Sequence, residues 1–205
     1  MEVEFRRTGE RRYAVTIYRK DLPPVEMNPA PGYHPIMPHD LLHLAIESEL
    51  GLTRGIFGQV AEGGHAGTFH RVLSITRDEN RRDAARLRRS SKRAEKLLRE
   101  GREDCAQSER ATFICLYEWL ARSSDPERRK VAAQMARGAK QTRDLQPRSE
   151  SRALTEEFLV RVCARLDDLS RRWTALDIGQ SFTVGWPGLG LTQQAYISLG
   201  KKAAC

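Results

Sequence analysis

The residues best suited to chemistry are the five histidines, all of which lie between residues 34 and 70. His39 and His43 are four residues apart in a segment with a helical pattern, and Glu47 follows one turn later. Residues i and i+4 lie on one helix face, about 40° apart around the axis, so the two imidazoles should project together. Two imidazoles and a carboxylate in this arrangement can bind a divalent metal ion, and zinc is the ion we expect.

The segment HDLLH at residues 39–43 resembles the H-E-x-x-H motif of zincin metalloproteases, with Asp40 in place of the glutamate. The resemblance covers five residues, and aspartate is one methylene shorter than the glutamate that serves zincins as general base. The resemblance implies that Asp40 is a catalytic base. The alternative role for Asp40 is to orient a ligand imidazole from outside the coordination sphere.

A third ligand would come from Glu47, His65 or His70, with His34 as a further candidate. The segment EGGHAGTFH at residues 62–70 is rich in glycine and would form a loop that brings His65 or His70 to the site. Three protein ligands leave one coordination position for a water molecule, whose pKa falls toward about 7. The leading functional prediction is therefore a small metal-binding protein that acts as a metal-dependent hydrolase.

A second interpretation of the same residues needs no metal. His39, Asp40, His43 and Glu47 would form a hydrogen-bonded network that fixes the helix against its neighbours. The histidines would then be purely structural, and the protein would belong to a third class, that of interaction or scaffold proteins.

The basic segment from residue 71 to residue 104 supports a different function. It contains 12 Lys or Arg and 7 Asp or Glu, in a chain whose net charge is +8. The predicted helix over residues 81–102 has an apolar seam that includes Ala94 and Leu98. Its cationic side chains point away from this seam and could contact the phosphates of a nucleic acid; they are Arg88, Arg89, Lys92 and Arg93. The alternative prediction is thus a nucleic-acid-binding or regulatory module, with a polyanion as its partner.

Other functional classes lack their sequence signals. The glycines match neither a phosphate-binding loop nor a dinucleotide-binding motif, and the serines lack a nucleophile elbow. No apolar run approaches the roughly 18–20 residues that span a bilayer, so no membrane partner is expected. The four cysteines form no C-x-x-C pair, and the N-terminal residues lack the apolar segment of a signal peptide. We therefore expect a cytoplasmic protein.

The elements that would position these residues predict an α+β fold in a single domain, residues 1–205, composed of a mostly helical bundle and a small antiparallel sheet. Residues 1–20 alternate as a β-hairpin, and residues 21–37 form a proline-rich extended connector. The helical region extends over residues 38–175 with a polar loop near 138–151. Residues 176–205 form short strands and a tail, and these strands pair with the hairpin.

Individual helices have recognisable ends and apolar patterns. The helix over residues 38–50 is apolar nearly all round, which predicts burial, and Gly51 should close it. Asp125 before Pro126 indicates the start of a helix that we expect to reach about Gly138. A long amphipathic helix follows, with its apolar positions at Leu154, Phe158, Val162, Leu166, Leu169 and Trp173.

Overall fold

A five-stranded antiparallel sheet covers one side of a layer of helices. The structure, a computed structural model, describes residues 1–72 and 91–188. The strands lie in the order β4-β3-β2-β1-β5, and they are β1 Glu2–Gly9, β2 Arg12–Arg19, β3 Leu22–Met27, β4 His70–Arg71 and β5 Ser181–Gly185. The prediction of an α+β fold with an antiparallel sheet from both ends of the chain is confirmed.

The sheet buries one face and leaves the other toward solvent. In the β1–β2 hairpin, Val3 lies opposite Ile17 and Phe5 opposite Val15, and all four side chains are fully buried. Strand β5 pairs with β1 on the other side, as expected for a C-terminal strand. The opposite face carries polar pairs such as Arg6 with Glu26, at 3.2 Å. The second C-terminal strand, predicted at residues 194–200, lies outside the described residues.

The proline-rich connector begins with a strand that the sequence pattern did not predict. Residues Leu22–Met27 form β3, which pairs with β2 although it contains Pro23 and Pro24. The register shifts between Ile17 and Arg19, opposite the prolines, so the prolines fall where the hydrogen-bond ladder is interrupted. Beyond Met27 the connector forms neither helix nor strand until α1 begins.

Seven helices lie within the described residues. They are α1 His39–Leu50, α2 Ile56–Ala61, α3 at residues 91–100, α4 Arg102–Ala121, α5 Pro126–Leu145, α6 Arg148–Ala153 and α7 Glu156–Thr174. None of these helices is both long and apolar enough to cross a lipid bilayer.

Helix α1 lies at the centre of the core, which confirms the prediction from its apolar pattern. All residues from Leu41 to Glu47 are buried, and the helix packs against α4 and α7. Gly51 closes the helix with φ 66°, a left-handed conformation that glycine adopts without strain. Pro38 lies one position before the helix rather than in its first turn.

Helix α5 is longer than its sequence suggested. The expected stop at Gly138 and the polar loop near 138–151 are wrong, because α5 continues to Leu145 and α6 follows almost at once. Gly138 lies in the helix interior against Phe113, whose ring would be 3.2 Å from an added Cβ. Close packing on α4 therefore accounts for a glycine that, by local preference, indicates a helix end.

The start of α5 generates a stability prediction. Asp125 Oδ1 accepts a hydrogen bond of 2.9 Å from the Glu127 N–H, and Pro126 occupies the first helical position. Asp125→Ala removes this cap and should lower the free energy of unfolding by about 1 kcal/mol in urea titrations. Ser124→Ala, at an exposed neighbouring position outside the helix, is the control. Equal stability of the two variants would contradict the cap.

Candidate metal centre

The two histidines of α1 differ sharply in their surroundings. His39 is the first residue of the helix, and its side chain is exposed. Its backbone N–H donates to the Gly32 carbonyl at 3.2 Å. His43, one turn on, is 1% exposed. Their ring centroids are 4.5 Å apart with the planes at 68°, so the predicted projection of both imidazoles on one helix face is confirmed.

One nitrogen of His43 has a partner and the other has none. His43 Nδ1 lies 2.8 Å from Ser108 Oγ and 3.4 Å from Thr112 Oγ1, both on α4. His43 Nε2 is buried and has no hydrogen-bond partner among the described residues. Burial, followed by the nearby His39, lowers the pKa of His43 to about 4, so the ring is neutral at pH 7.

Ser108 fixes which nitrogen of His43 carries the proton. The Ser108 hydroxyl donates to Glu47 Oε1 at 2.9 Å. A hydroxyl has one proton, so while Glu47 is ionised and takes that proton, Ser108 accepts the contact from His43, and His43 Nδ1 is the donor. The proton of the neutral ring is then on Nδ1. Nε2 is left with a lone pair, the form in which histidine binds a metal ion.

Glu47 is the fixed end of this hydrogen-bond chain. The side chain is fully buried, and its two carboxylate oxygens accept from the N–H groups of Ile56 at 2.8 Å and Phe57 at 2.9 Å. These N–H groups are at the N-terminus of α2. The first N–H groups of a helix have no carbonyl acceptor within the helix, so Glu47 supplies it. Burial raises the pKa of Glu47 to about 7, while the three donors favour the ionised form.

The carboxylate that lies near both histidines is that of Glu109, which the spacing of residues in α1 does not indicate. Glu109 Oε2 lies 3.6 Å from His43 Nε2. One ligand atom from each of His39, His43 and Glu109 lies within 4.8 Å of the others, and these three residues could hold a metal ion. With Zn–N and Zn–O bonds near 2.1 Å, ligand atoms of a tetrahedral ion are roughly 3.4 Å apart. The His43–Glu109 separation fits this value. The exposed side chains of His39 and Glu109 can rotate to close the remaining distance.

A signal for this part of the site is present in α4. Ser108, Thr112, Cys115 and Trp119 are spaced three or four residues apart, so they lie on one face of α4. This face points into the core, and two of its side chains carry hydroxyl groups. All four residues are buried. Buried hydroxyls require partners, so a polar group on a facing element was to be expected. Glu109 adjoins this face, and its side chain is 62% exposed.

The other predicted ligands lie elsewhere. Glu47 is held at α2 and is not part of the three-residue group. His65 and His70 line a separate cavity of about 450 Å³, together with Arg19 and Arg71. The glycine-rich loop thus contributes to another cavity rather than to the histidine pair.

Asp40 contacts the connector. The Tyr13 hydroxyl lies within hydrogen-bond reach of both the Asp40 carboxylate and the Pro31 carbonyl. Burial raises the pKa of Asp40, and burial together with Asp40 raises the pKa of Tyr13. The catalytic role of Asp40 stays a prediction.

The proposed nucleic-acid-binding residues are described only in part. Lys92 and Arg93 are exposed on α3, whereas Arg88 and Arg89 lie outside the described residues. Ala94 is buried as expected, but Leu97 rather than Leu98 completes the apolar seam. Leu97 packs next to Gly64, where an added Cβ would be 3.2 Å from its side chain. The polyanion partner stays a prediction.

An apolar cleft of about 510 Å³ opens beside the three-residue group. His39 is part of its lining, so one imidazole belongs both to the candidate centre and to the cleft. The walls come from the connector, α1, α4 and α5. A cavity of this size accommodates a small organic molecule.

Comparisons with protein-family models, with curated proteins and with solved structures found no match for this chain. The geometry of these residues is therefore the basis for inferring a function.

The position of Glu47 generates a second prediction. Gly55 has φ −65° and ψ −170°, a conformation open to any residue, yet an added Cβ would lie 2.5 Å from the Glu47 carboxylate carbon. Gly55→Ala should therefore displace Glu47 from its donors and lower the free energy of unfolding by about 2 kcal/mol. Urea denaturation measures the change. Gly9→Ala, where the nearest atom is 3.5 Å from the added Cβ, is the control. A Gly55→Ala variant as stable as Gly9→Ala would contradict the proposed role of Glu47.

Proposed function

We propose that this protein binds one divalent metal ion, preferably zinc, through His39, His43 and Glu109, and uses it to hydrolyse a small substrate. The observation that carries the proposal is the buried Nε2 of His43. It has no hydrogen-bond partner among the described residues and lies 3.6 Å from Glu109 Oε2. An orphaned buried nitrogen is costly, and a metal ion supplies the partner that its lone pair requires.

The donor set supports zinc and hydrolysis. Two imidazoles and one carboxylate are a ligand combination of catalytic zinc sites, whereas structural zinc sites are closed by four protein ligands. A zinc ion held by three protein ligands keeps a position for water, lowers the pKa of that water toward about 7 and so supplies a nucleophile at neutral pH. His39 and Glu109 are exposed, and His39 also lines the cleft, so the side chains that would hold the ion adjoin both solvent and the cleft.

The chain from His43 through Ser108 to Glu47 supports the same proposal. Metal-bound histidines commonly donate their second N–H to an oxygen acceptor, which fixes the ring and increases its basicity. Here the acceptor is the Ser108 hydroxyl, which Glu47 in turn polarises. In this proposal Asp40 is a positioning residue that holds the first turn of α1 to Tyr13.

A cytoplasmic location is part of the proposal. Cys105, Cys115 and Cys163 are free thiols, and Cys105 and Cys163 are partly exposed. Free, partly exposed thiols are typical of a reducing compartment.

The metal site generates a third prediction, tested with tag-free protein by zinc titration against a chromophoric chelator. Wild-type protein should bind one equivalent. Glu109→Gln should weaken binding by more than about 100-fold, beyond the range for loss of an outer-shell group. His39→Ala should do the same, because it removes a ligand without opening a cavity in the core. Both residues are exposed, so the variants should fold.

Two matched variants serve as controls for the zinc titration. His70→Ala removes an exposed histidine outside the group, and Glu103→Gln removes an exposed carboxylate from the same helix. Both should bind zinc like wild type. If wild type binds no stoichiometric zinc, the metal proposal is wrong and the interpretation with purely structural histidines is favoured. If His70→Ala weakens binding as much as His39→Ala, the ligand set is wrong.

The contact between His43 and Ser108 generates a fourth prediction. Ser108→Ala removes the acceptor of the His43 Nδ1–H and should weaken zinc binding by roughly 10–100-fold. Thr112→Val removes the longer, 3.4 Å contact and should have the smaller effect. The zinc titration and thermal unfolding of the metal-free variants separate loss of affinity from loss of fold. A larger effect of Thr112→Val would identify Thr112 as the acceptor and refute the chain through Glu47.

A further inference from the structure

We infer that the cleft beside the metal centre binds the neutral, apolar acyl group of an ester or amide, whose carbonyl carbon is then the site of hydrolysis. This inference rests on the proposed function and adds the substrate class. It starts from His39, which is both a candidate ligand and part of the cleft lining. A substrate bound at an ion that His39 would hold therefore lies next to the cleft.

The lining determines the apolar character of this substrate. The connector, α1, α4 and α5 converge on the cleft, and each contributes apolar side chains. The main ones are Ile36, Met37, Leu42, Leu116, Leu120 and Met135. The volume of about 510 Å³ exceeds what a two-carbon acyl group fills and suits a medium-length chain or a ring.

Each charged side chain of the cleft lining lies near an opposite charge, in one case that of Lys130 outside the lining, which argues for a neutral ligand. Arg128 stacks its guanidinium 5.0 Å from the Trp119 ring centroid and lies 3.8 Å from Asp125. Glu127 lies 3.9 Å from Lys130. Burial and the charge of Arg128 lower the pKa of His34, so that ring is neutral at pH 7. Among the described residues, each charged side chain of the cleft lining therefore has an opposite charge within 4 Å.

The walls are held in place by defined contacts. Trp173 Nε1 donates to the His34 carbonyl at 3.1 Å, and Ser170 Oγ donates to the Ile36 carbonyl at 2.8 Å. Asp40 and Tyr13 hold the connector at Pro31. The cleft is therefore built before a ligand arrives, which reduces the ordering cost of binding.

The hydrolysis balances with water as the only co-reactant. The oxygen of water forms a bond to the acyl carbon, and the acyl C–O or C–N bond breaks with its electron pair leaving on the alcohol or amine. One proton of the water passes to that leaving group, which yields a carboxylic acid and an alcohol or amine. No oxidant or reductant takes part.

Alkyl hydroxamates test the inference by binding rather than by turnover, because the hydroxamate chelates zinc while the alkyl chain probes the cleft. Each buried methylene should raise affinity about fourfold. Hexanohydroxamate should therefore bind zinc-loaded protein at least about thirtyfold more tightly than acetohydroxamate, even if only part of the chain is buried. Calorimetry measures both affinities.

Two variants place a bulky ring in the cleft, Val131→Trp and, one turn further along α5, Met135→Trp. Val160→Trp is the matched control, because Val160 is similarly exposed on α7 (54% against 46% for Val131) and is not part of the lining. At least one cleft variant should lose the preference for hexanohydroxamate by about tenfold or more, while its affinities for zinc and acetohydroxamate stay unchanged. Val160→Trp should behave like wild type.

The outcomes distinguish the two proposals. If zinc binds but chain length has no effect, the apolar cleft is not a substrate site, and the metal proposal stands. If chain length matters but both cleft variants retain the preference, the acyl group binds elsewhere and the inference is wrong. If zinc does not bind, the proposed function fails and this inference fails with it.

Discussion

The site depends on a buried carboxylate. Glu47 is fully buried in the core, where an unpaired carboxylate would be very costly. It is compensated by two backbone N–H groups at the start of α2 and by the Ser108 hydroxyl of α4. One side chain of α1 thus positions two other helices. Gly55 makes this approach possible, since any larger residue would meet the carboxylate. The packing of α4 on α1 in this register is what brings Ser108 and Glu109 to His43.

The same packing fixes the side chain of one candidate ligand and leaves the side chains of the other two free to rotate. His43 is held by packing and by Ser108, so its Nε2 has a set direction. His39 and Glu109 are exposed and can move toward an ion. A rigid first ligand lowers the entropic cost of forming the site, and mobile partners allow the coordination geometry to adapt. The solvent-facing side is also where a substrate would approach.

The proline-rich connector has a structural role that its composition alone does not reveal. Its first residues form strand β3 between β2 and β4, and its later residues are held by Tyr13, Ser170 and Trp173. It leads directly into α1, so the segment that forms one wall of the apolar cleft also positions His39. The cleft and the candidate centre are adjacent because the connector residues that line the cleft lead directly to His39.

Local sequence patterns determined the elements whose signals are local. The hairpin, the burial of α1, the Gly51 end, the Asp125 cap and the amphipathic α7 follow from alternation, periodicity and capping chemistry. The i,i+4 spacing likewise determined that His39 and His43 meet. The sequence could not determine how long α5 is, because Gly138 is tolerated through its contact with Phe113. The sequence also could not determine which carboxylate lies beside the histidine pair. Glu47 has the right spacing, but it accepts hydrogen bonds from α2 and Ser108, and the carboxylate near His43 is that of Glu109 on α4. That choice belongs to tertiary structure, because the partners of a buried charge are decided by which helices pack together.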